Sequence, residues 1–397
     1  MSELLDAWFF ADPHRFYRRW REQGPVRRVD FGDGLDRWLI LGYDEGRAAL
    51  ADPRLCKDIS RFDTVLARKR PGARRNPRPD TVLRHMLNAD PPDHTRLRKA
   101  VGKAFTPRRV ARLQPIIEQT ANELLDEMAG HDQVDLLEAF AVPLPVTVIS
   151  HLLDVSIQDR DTFRAWSRTL VGTPDRGSDP ARAYSEISDF LRNMLQDKRA
   201  HPGDDLLSTL ITDEDAQLSE PEIVGMALLL LVAGHETTVN LIGNGTLALL
   251  HNHSWLERLR ADPELIPGAI EEFLRFNGPV DMATPRFTVE PITVGDTVIP
   301  AGEIVYIGLA AGNRDPRHYP DPDDLDPTAD RAGHLAFGHG IHFCVGAPLA
   351  RLEGRIAFTT LLQRFQHLSL AVEDSRLRWY ANPVIHGLTA LPVRLQP

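Results

Sequence analysis

Eleven residues, "HLAFGHGIHFC" from His334 to Cys344, bring three histidines and one cysteine together and run on into "VGAPLARLEG". Zinc accepts all of these ligand types, but structural zinc sites draw ligand pairs from separate segments, and here every donor sits on one glycine-rich loop. A cysteine hydrolase needs a histidine near its thiolate in space, and no local signature marks it across families. A cysteine with neither role is usually buried and inert. Cys56, with nothing around it to suggest chemistry, reads that way.

Cys344 differs because Gly338, Gly340 and Gly346 surround it. Glycine lets a backbone approach a flat ligand closely or take positive φ. A helix beginning near Pro348 puts the sulfur just before a helix N-terminus, where the dipole and free N–H groups stabilise a thiolate. One thiolate on such a loop suits an axial ligand to haem iron, which pushes electron density onto the metal and favours O–O cleavage. The covalent attachment pattern C-x-x-C-H is absent, so the haem would be held non-covalently.

"FGHGIHFCVG" resembles the Phe-x-x-Gly-x-His-x-Cys-x-Gly signature of cytochrome P-450 enzymes, at Phe337, Gly340, His342, Cys344 and Gly346. The resemblance implies haem b with Cys344 as the iron ligand. It also implies the family's fold: mainly α with minor β, a triangular-prism haem domain spanning 1–397, and a long central helix over the haem. "AGHETT" lies in the most apolar helical stretch, and Ala233 there would border the haem. A buried carboxylate is costly without partners or a task. Glu236 and Thr237 resemble the family's acid–alcohol pair, in which the alcohol steadies dioxygen and the acid relays protons. A zinc-protease reading fails, because H-E-x-x-H needs a histidine where Val239 stands.

Other motifs resemble the family's supports. Glu272 and Arg275 in "EEFLR" share a helix face and match its Glu-x-x-Arg pair. The arginine expected to join them is missing, since Asp324 and Leu325 stand in its place; Arg317 or His318 are the substitutes in view. Haem propionates need cations or strong donors. His94 and Arg98, one helical turn apart, match the family's propionate pair, as do Arg286 in "TPRF" and His342. His334 and His339 are left to structural or surface roles. The resemblance lines the substrate pocket with the loop before Asp90, Val232, Ala233, Met282, Ala283, Val384 and Ile385.

Two electrons must come from outside. Arg96, Lys99, Lys103, Arg108, Arg109, Arg351 and Arg355 are read as a basic patch that would steer an acidic ferredoxin. No flavin-binding extension is seen, so NAD(P)H would act through a separate ferredoxin reductase and ferredoxin. The overall pattern resembles soluble actinobacterial hydroxylases of macrolides and other polyketides, with steroid, vitamin D and drug hydroxylases as relatives. The basic, proline-rich segment Arg68 to Arg78 raises the alternative of an anionic substrate or one tethered to an acyl carrier protein. A haem sensor or carrier is the competing class, and it has no need of the acid–alcohol pair.

The chain that must position these groups has 397 residues, 42% hydrophobic and 26% charged, an ordinary globular composition. Its formal net charge of −10 argues against nucleic acid as a partner. Two distant cysteines point to a reducing compartment. The N-terminus lacks an apolar h-region, and no run of roughly 20 apolar residues is read as spanning a membrane. The expectation is a soluble, cytoplasmic protein. A short helix at "DPHRFYRRWREQG" and a hairpin around Gly-Asp-Gly open the chain. Helices dominate to about Leu250. After "PGAIEEFLRF" come short strands, a Pro/Asp-rich coil, the cysteine loop, a last helix and strand pieces.

Overall fold

The computed structural model describes residues 2–70, 83–156 and 179–396, with positions 159, 162, 165, 166 and 169 between them. The centre is one continuous helix, Glu220–His251, of 32 residues. At 1.5 Å per residue it is about 48 Å long. Ser219 and Glu222 close its N-terminus as a capping box, the Ser219 N–H donating to Glu222 Oε2 at 2.8 Å. It packs against helices Pro143–Leu153, Pro180–Ala200, Ile266–Asn277 and Ala347–Arg364. That surround explains its near-uniform apolarity. Length and composition alone would let this helix cross a membrane, contrary to the sequence expectation, but 61% of its most apolar stretch is buried inside the protein. The "HETT" segment does not begin a new helix; it continues this one.

A six-stranded sheet stands beside the helices and ties the N-terminal segment to residues 286–307. Its order is Glu3–Leu4, Val26–Asp30, Asp36–Ile40, Ile304–Ile307, Arg286–Thr288, Leu55–Cys56. The expected hairpin is there, with Gly32 and Gly34 at positive φ in its turn. Asp36–Ile40 then pairs in parallel with Ile304–Ile307, and Leu55–Cys56 runs antiparallel to Arg286–Thr288. The stretch read as helical throughout contains one strand, Gln133–Asp135, which joins the C-terminal strands Pro392–Gln396 and His367–Leu370. A helix unnoticed in the sequence, Ile59–Lys69, is capped by Asp58, whose side chain accepts from the Arg61 N–H. Of the basic segment Arg68 to Arg78, residues 71–78 lie outside the described residues.

The Glu-x-x-Arg pair is completely buried. Arg275 Nε and Nη2 donate to Glu272 Oε2 and Oε1, each at 2.7 Å. The remaining donors close on backbone carbonyls: Asn313 at 3.1 Å, Pro322 at 2.8 Å and Asp324 at 3.0 Å. Asp324 thus contributes its carbonyl to a site where an arginine side chain was expected. The second cation is Arg331, with Nε 3.5 Å from Glu272 Oε2. Neither substitute in view serves: Arg317 pairs with Glu45 and Asp315, and His318 stacks on Tyr43.

Candidate active site

The cysteine loop is built by backbone geometry. Leu335–Phe337 forms a short 3-10 turn, Gly338 follows at φ 70°, and Gly340 sits at φ 72°. A Cβ on Gly340 would meet Leu50 O at 3.0 Å and Ala51 Cα at 3.2 Å. Gly340→Ala should therefore lower unfolding free energy by about 1–2 kcal/mol from the left-handed backbone alone, which a urea titration would read. The Cys344 N–H donates to Phe337 O at 2.9 Å, closing the loop. Asn313 Oδ1 accepts from the Leu335 N–H at 2.6 Å, joining the loop to the segment that Arg275 clamps.

Cys344 opens onto a cavity of about 250 Å3, partly continuous with solvent. Desolvation by the surrounding protein raises the thiol pKa. The N–H groups of Gly346 and Ala347, at the start of helix Ala347–Arg364, act the other way, as do Arg98 and Arg351. A group that brought positive charge to the sulfur would add to these donors and favour the thiolate.

The cavity gathers most of the residues singled out in the sequence. His94, Arg98, Ala233, Thr237, Ala283, Arg286, Phe337, His342, Cys344 and Gly346 line it. His94 and His342 face each other with ring centroids 4.4 Å apart. His94 Nε2 and Arg286 Nε are buried with no hydrogen-bond partner. Burial holds the His342 pKa down to about 2, and Lys57, Arg286, His94 and Arg98 push the same way. Burial likewise lowers Arg286 to about 10.

Gly340 shapes the loop from behind the cavity wall, and Glu236, Val232, Val384 and Ile385 also lie off it. Val232 packs into the neighbouring apolar core, Val384 packs toward the N-terminal core, and Ile385 is bridged to Val280. Met282 is a correction. It is wholly buried among Tyr17, Leu39 and Phe287, so Val280, Ala283 and Thr284 present the wall instead. Met86 and Leu87, from the loop before Asp90, also line the cavity.

Thr237 Oγ1 donates to Ala233 O at 3.0 Å, the back-bond that loosens a helix turn. Glu236 Oε1 accepts from Asn240 Nδ2 at 3.3 Å. Two further residues were missed in the sequence. Lys57 lines the cavity although it looks like an ordinary surface lysine in "LCKD". Glu353, buried, is pushed up to about 8 by burial, and its carboxyl meets the hydroxyl of Thr238. His334 proves structural, accepting from the Ala336 N–H and lying 3.2 Å from Glu271. His339 does reach the cavity wall.

The expected basic patch is largely offset by the protein itself. Arg96 pairs with Glu222, Lys103 with Asp213, Arg109 with Asp204 and Arg351 with Glu271. Those carboxylates lie far along the chain, so the cancellation is invisible in the local sequence.

The cytochrome P450 family profile matches residues 146–381. The chain belongs to the cytochrome P450 family. It is 50% identical over 98% of its length to cytochrome P450 107B1 of Saccharopolyspora erythraea, covering 96% of that protein. It is 42% identical to 6-deoxyerythronolide B hydroxylase of the same organism, covering 100% of this chain and 99% of the relative. The tirandamycin C-bound structure of the P450 monooxygenase TamI superposes with a TM-score of 0.90 at 46% identity, with all of both chains covered. The protein therefore has the P450 fold and is a monooxygenase of this class. P450s hold haem through a cysteine thiolate, and the residues here fit that group. Cys344 opens onto the cavity, Arg286 Nε is a buried donor with no acceptor, and His94 Nε2 is buried without a partner.

Proposed function

We propose that this P450 hydroxylates or epoxidises a hydrophobic small molecule, a macrolide or other polyketide, in the cytoplasm. The observation that carries the reading is the single cavity in which Cys344, the propionate-type donors and Thr237 meet an apolar wall. Support for the substrate class comes from the relative named for 6-deoxyerythronolide B and from the tirandamycin C in the TamI structure. Two unpaired cysteines, one needed as a thiolate, suit a reducing compartment.

Bound haem supplies the centre at which O2 is reduced and one oxygen atom goes into a C–H or C=C bond. In this reading Cys344 is the iron ligand, and His94, Arg98, Arg286 and His342 hold the carboxylates. Phe337, Gly340 and Gly346 shape the loop. Leu229, Leu230, Ala233 and Ala283 exclude water above the reacting face. The Thr237 hydroxyl turns from Ala233 O toward the cavity, and Glu236 accepts and returns the proton that this hydroxyl passes on. Electrons arrive from NAD(P)H through a ferredoxin reductase and a ferredoxin. With much of the basic patch paired, that partner's docking should depend only weakly on salt.

Thr237→Ala tests the assignment. Haem content should stay at the wild-type level, while product formed per NAD(P)H falls by about tenfold or more. The missing electrons should appear as hydrogen peroxide, two per O2 with two protons. Unchanged coupling would remove Thr237 from proton delivery. Titration with macrolactones and with steroids, followed by the optical change on loss of the iron's water, tests the substrate class. Binding of steroids alone would overturn it.

A further inference from the structure

One end of the cavity carries more positive charge than its own carboxylates cancel. Lys57, Arg98 and Arg286 all line it. Asp90 is the carboxylate that acts on both Lys57 and Arg286. Its oxygens are already taken up by the backbone N–H groups of Lys57 and Asp58 at 3.0–3.1 Å. Asp52, which also reaches Arg286, is held bidentate by Arg54. With Lys57 protonated, three cations against Asp90 would leave an excess of two positive charges.

The sheet puts two of these cations face to face. Leu55 pairs with Thr288 and Cys56 with Phe287 in the antiparallel register. The same register, continued one step past the end of the Leu55–Cys56 strand, would set Lys57 opposite Arg286. Like charges directly across a ladder repel, and burial makes this worse. Lys57 is 5% exposed and Arg286 is 4% exposed. An ammonium has three donors. The Lys57 Nζ bond is to Thr284 Oγ1 at 2.5 Å, and Arg286 Nε has no partner. Two bound carboxylates would give both side chains the charged partner that they lack.

We propose that Lys57 is a propionate-binding residue, forming with Arg286 a two-cation clamp for the haem carboxylates and held in readiness by Thr284. The proposal rests on the haem reading above. It makes Lys57 a residue that retains the cofactor and sets its charge environment. Burial lowers the Lys57 pKa well below the usual lysine range, Arg286 adds to that, and Asp90 opposes it. Two carboxylates would restore its charge.

The test compares purified holoenzymes: wild type, K57M, K57Q, K57R and R286M. Haem release is followed by transfer to excess apomyoglobin, and the ferric/ferrous midpoint is measured alongside. K57M and K57Q should release haem about tenfold or more faster than wild type, the loss expected for one buried charge-assisted hydrogen bond. K57R should stay within about threefold, because it keeps the charge. The midpoint of K57M should fall, since removing a nearby cation favours the ferric state. If K57M does not fold, K57Q carries the same comparison with a polar side chain. Wild-type release rates and midpoints in both variants, with R286M accelerated, would overturn the clamp and leave the haem reading intact. Wild-type release with impaired binding of a carboxylated substrate would assign the same cation to substrate. A wild-type protein that takes up no haem would end the parent reading instead.

Discussion

Cys344→Ala should purify as a folded protein that has lost the red-shifted ferrous–CO band and all monooxygenase turnover. The fold should survive because the side chain faces a cavity and does not fill the core. Helix Ala347–Arg364 keeps its N-terminal N–H groups, and the loop keeps its Cys344 N–H to Phe337 O bond, which is a backbone bond. What vanishes is the one soft, charged ligand. The Gly346 and Ala347 N–H groups, together with Arg98 and Arg351, then face a methyl group. Circular dichroism should be near wild type while the absorbance spectrum changes completely. A retained red-shifted band in this variant would refute thiolate ligation by Cys344.

Arg275→Met should be the most destabilising single change away from the cavity. Breaking a buried ion pair from one side costs about 3–5 kcal/mol, because the other charge is left without a partner. Glu272 would keep Arg331 at 3.5 Å and the Asp326 N–H at 2.9 Å, neither of which replaces a bidentate guanidinium. Replacing both partners by apolar residues often restores stability. Here Glu272→Leu with Arg275→Met should not. The carbonyls of Asn313, Pro322 and Asp324 would still lose their donor, each unsatisfied group costing about 1–3 kcal/mol. Urea unfolding of the single and double variants measures this. A double variant as stable as wild type would show the carbonyl contacts to be dispensable. The damage should also reach the cysteine loop, because Asn313 Oδ1 holds the Leu335 N–H.

Local spacing made much of this legible in the sequence. The glycines and Cys344, the acid–alcohol pair in an apolar helix, and Glu272 with Arg275 each lie within one turn or loop. Each was therefore readable without the rest of the fold. What was misread depends on residues brought from afar. Arg331 replaces an expected arginine from within an irregular coil, where no periodicity fixes a side chain's direction. Lys57 becomes a cavity residue only because Leu55–Cys56 pairs with a strand more than two hundred positions away. Gln133–Asp135 is a strand because Pro392–Gln396 comes to meet it, and its own sequence gives little sign of that. The family resemblance assigned Met282 to the wall, yet it fills the N-terminal core.

The sheet that joins the N-terminal segment to residues 286–307 also sets an order of assembly during synthesis. Asp36–Ile40 meets Ile304–Ile307, so one edge of the early hairpin has no companion strand until residue 307 has emerged from the ribosome. An open edge invites pairing with other chains. Nascent molecules halted before that point should therefore clump, and cofactor capture, which waits for residue 344, can only be among the last events.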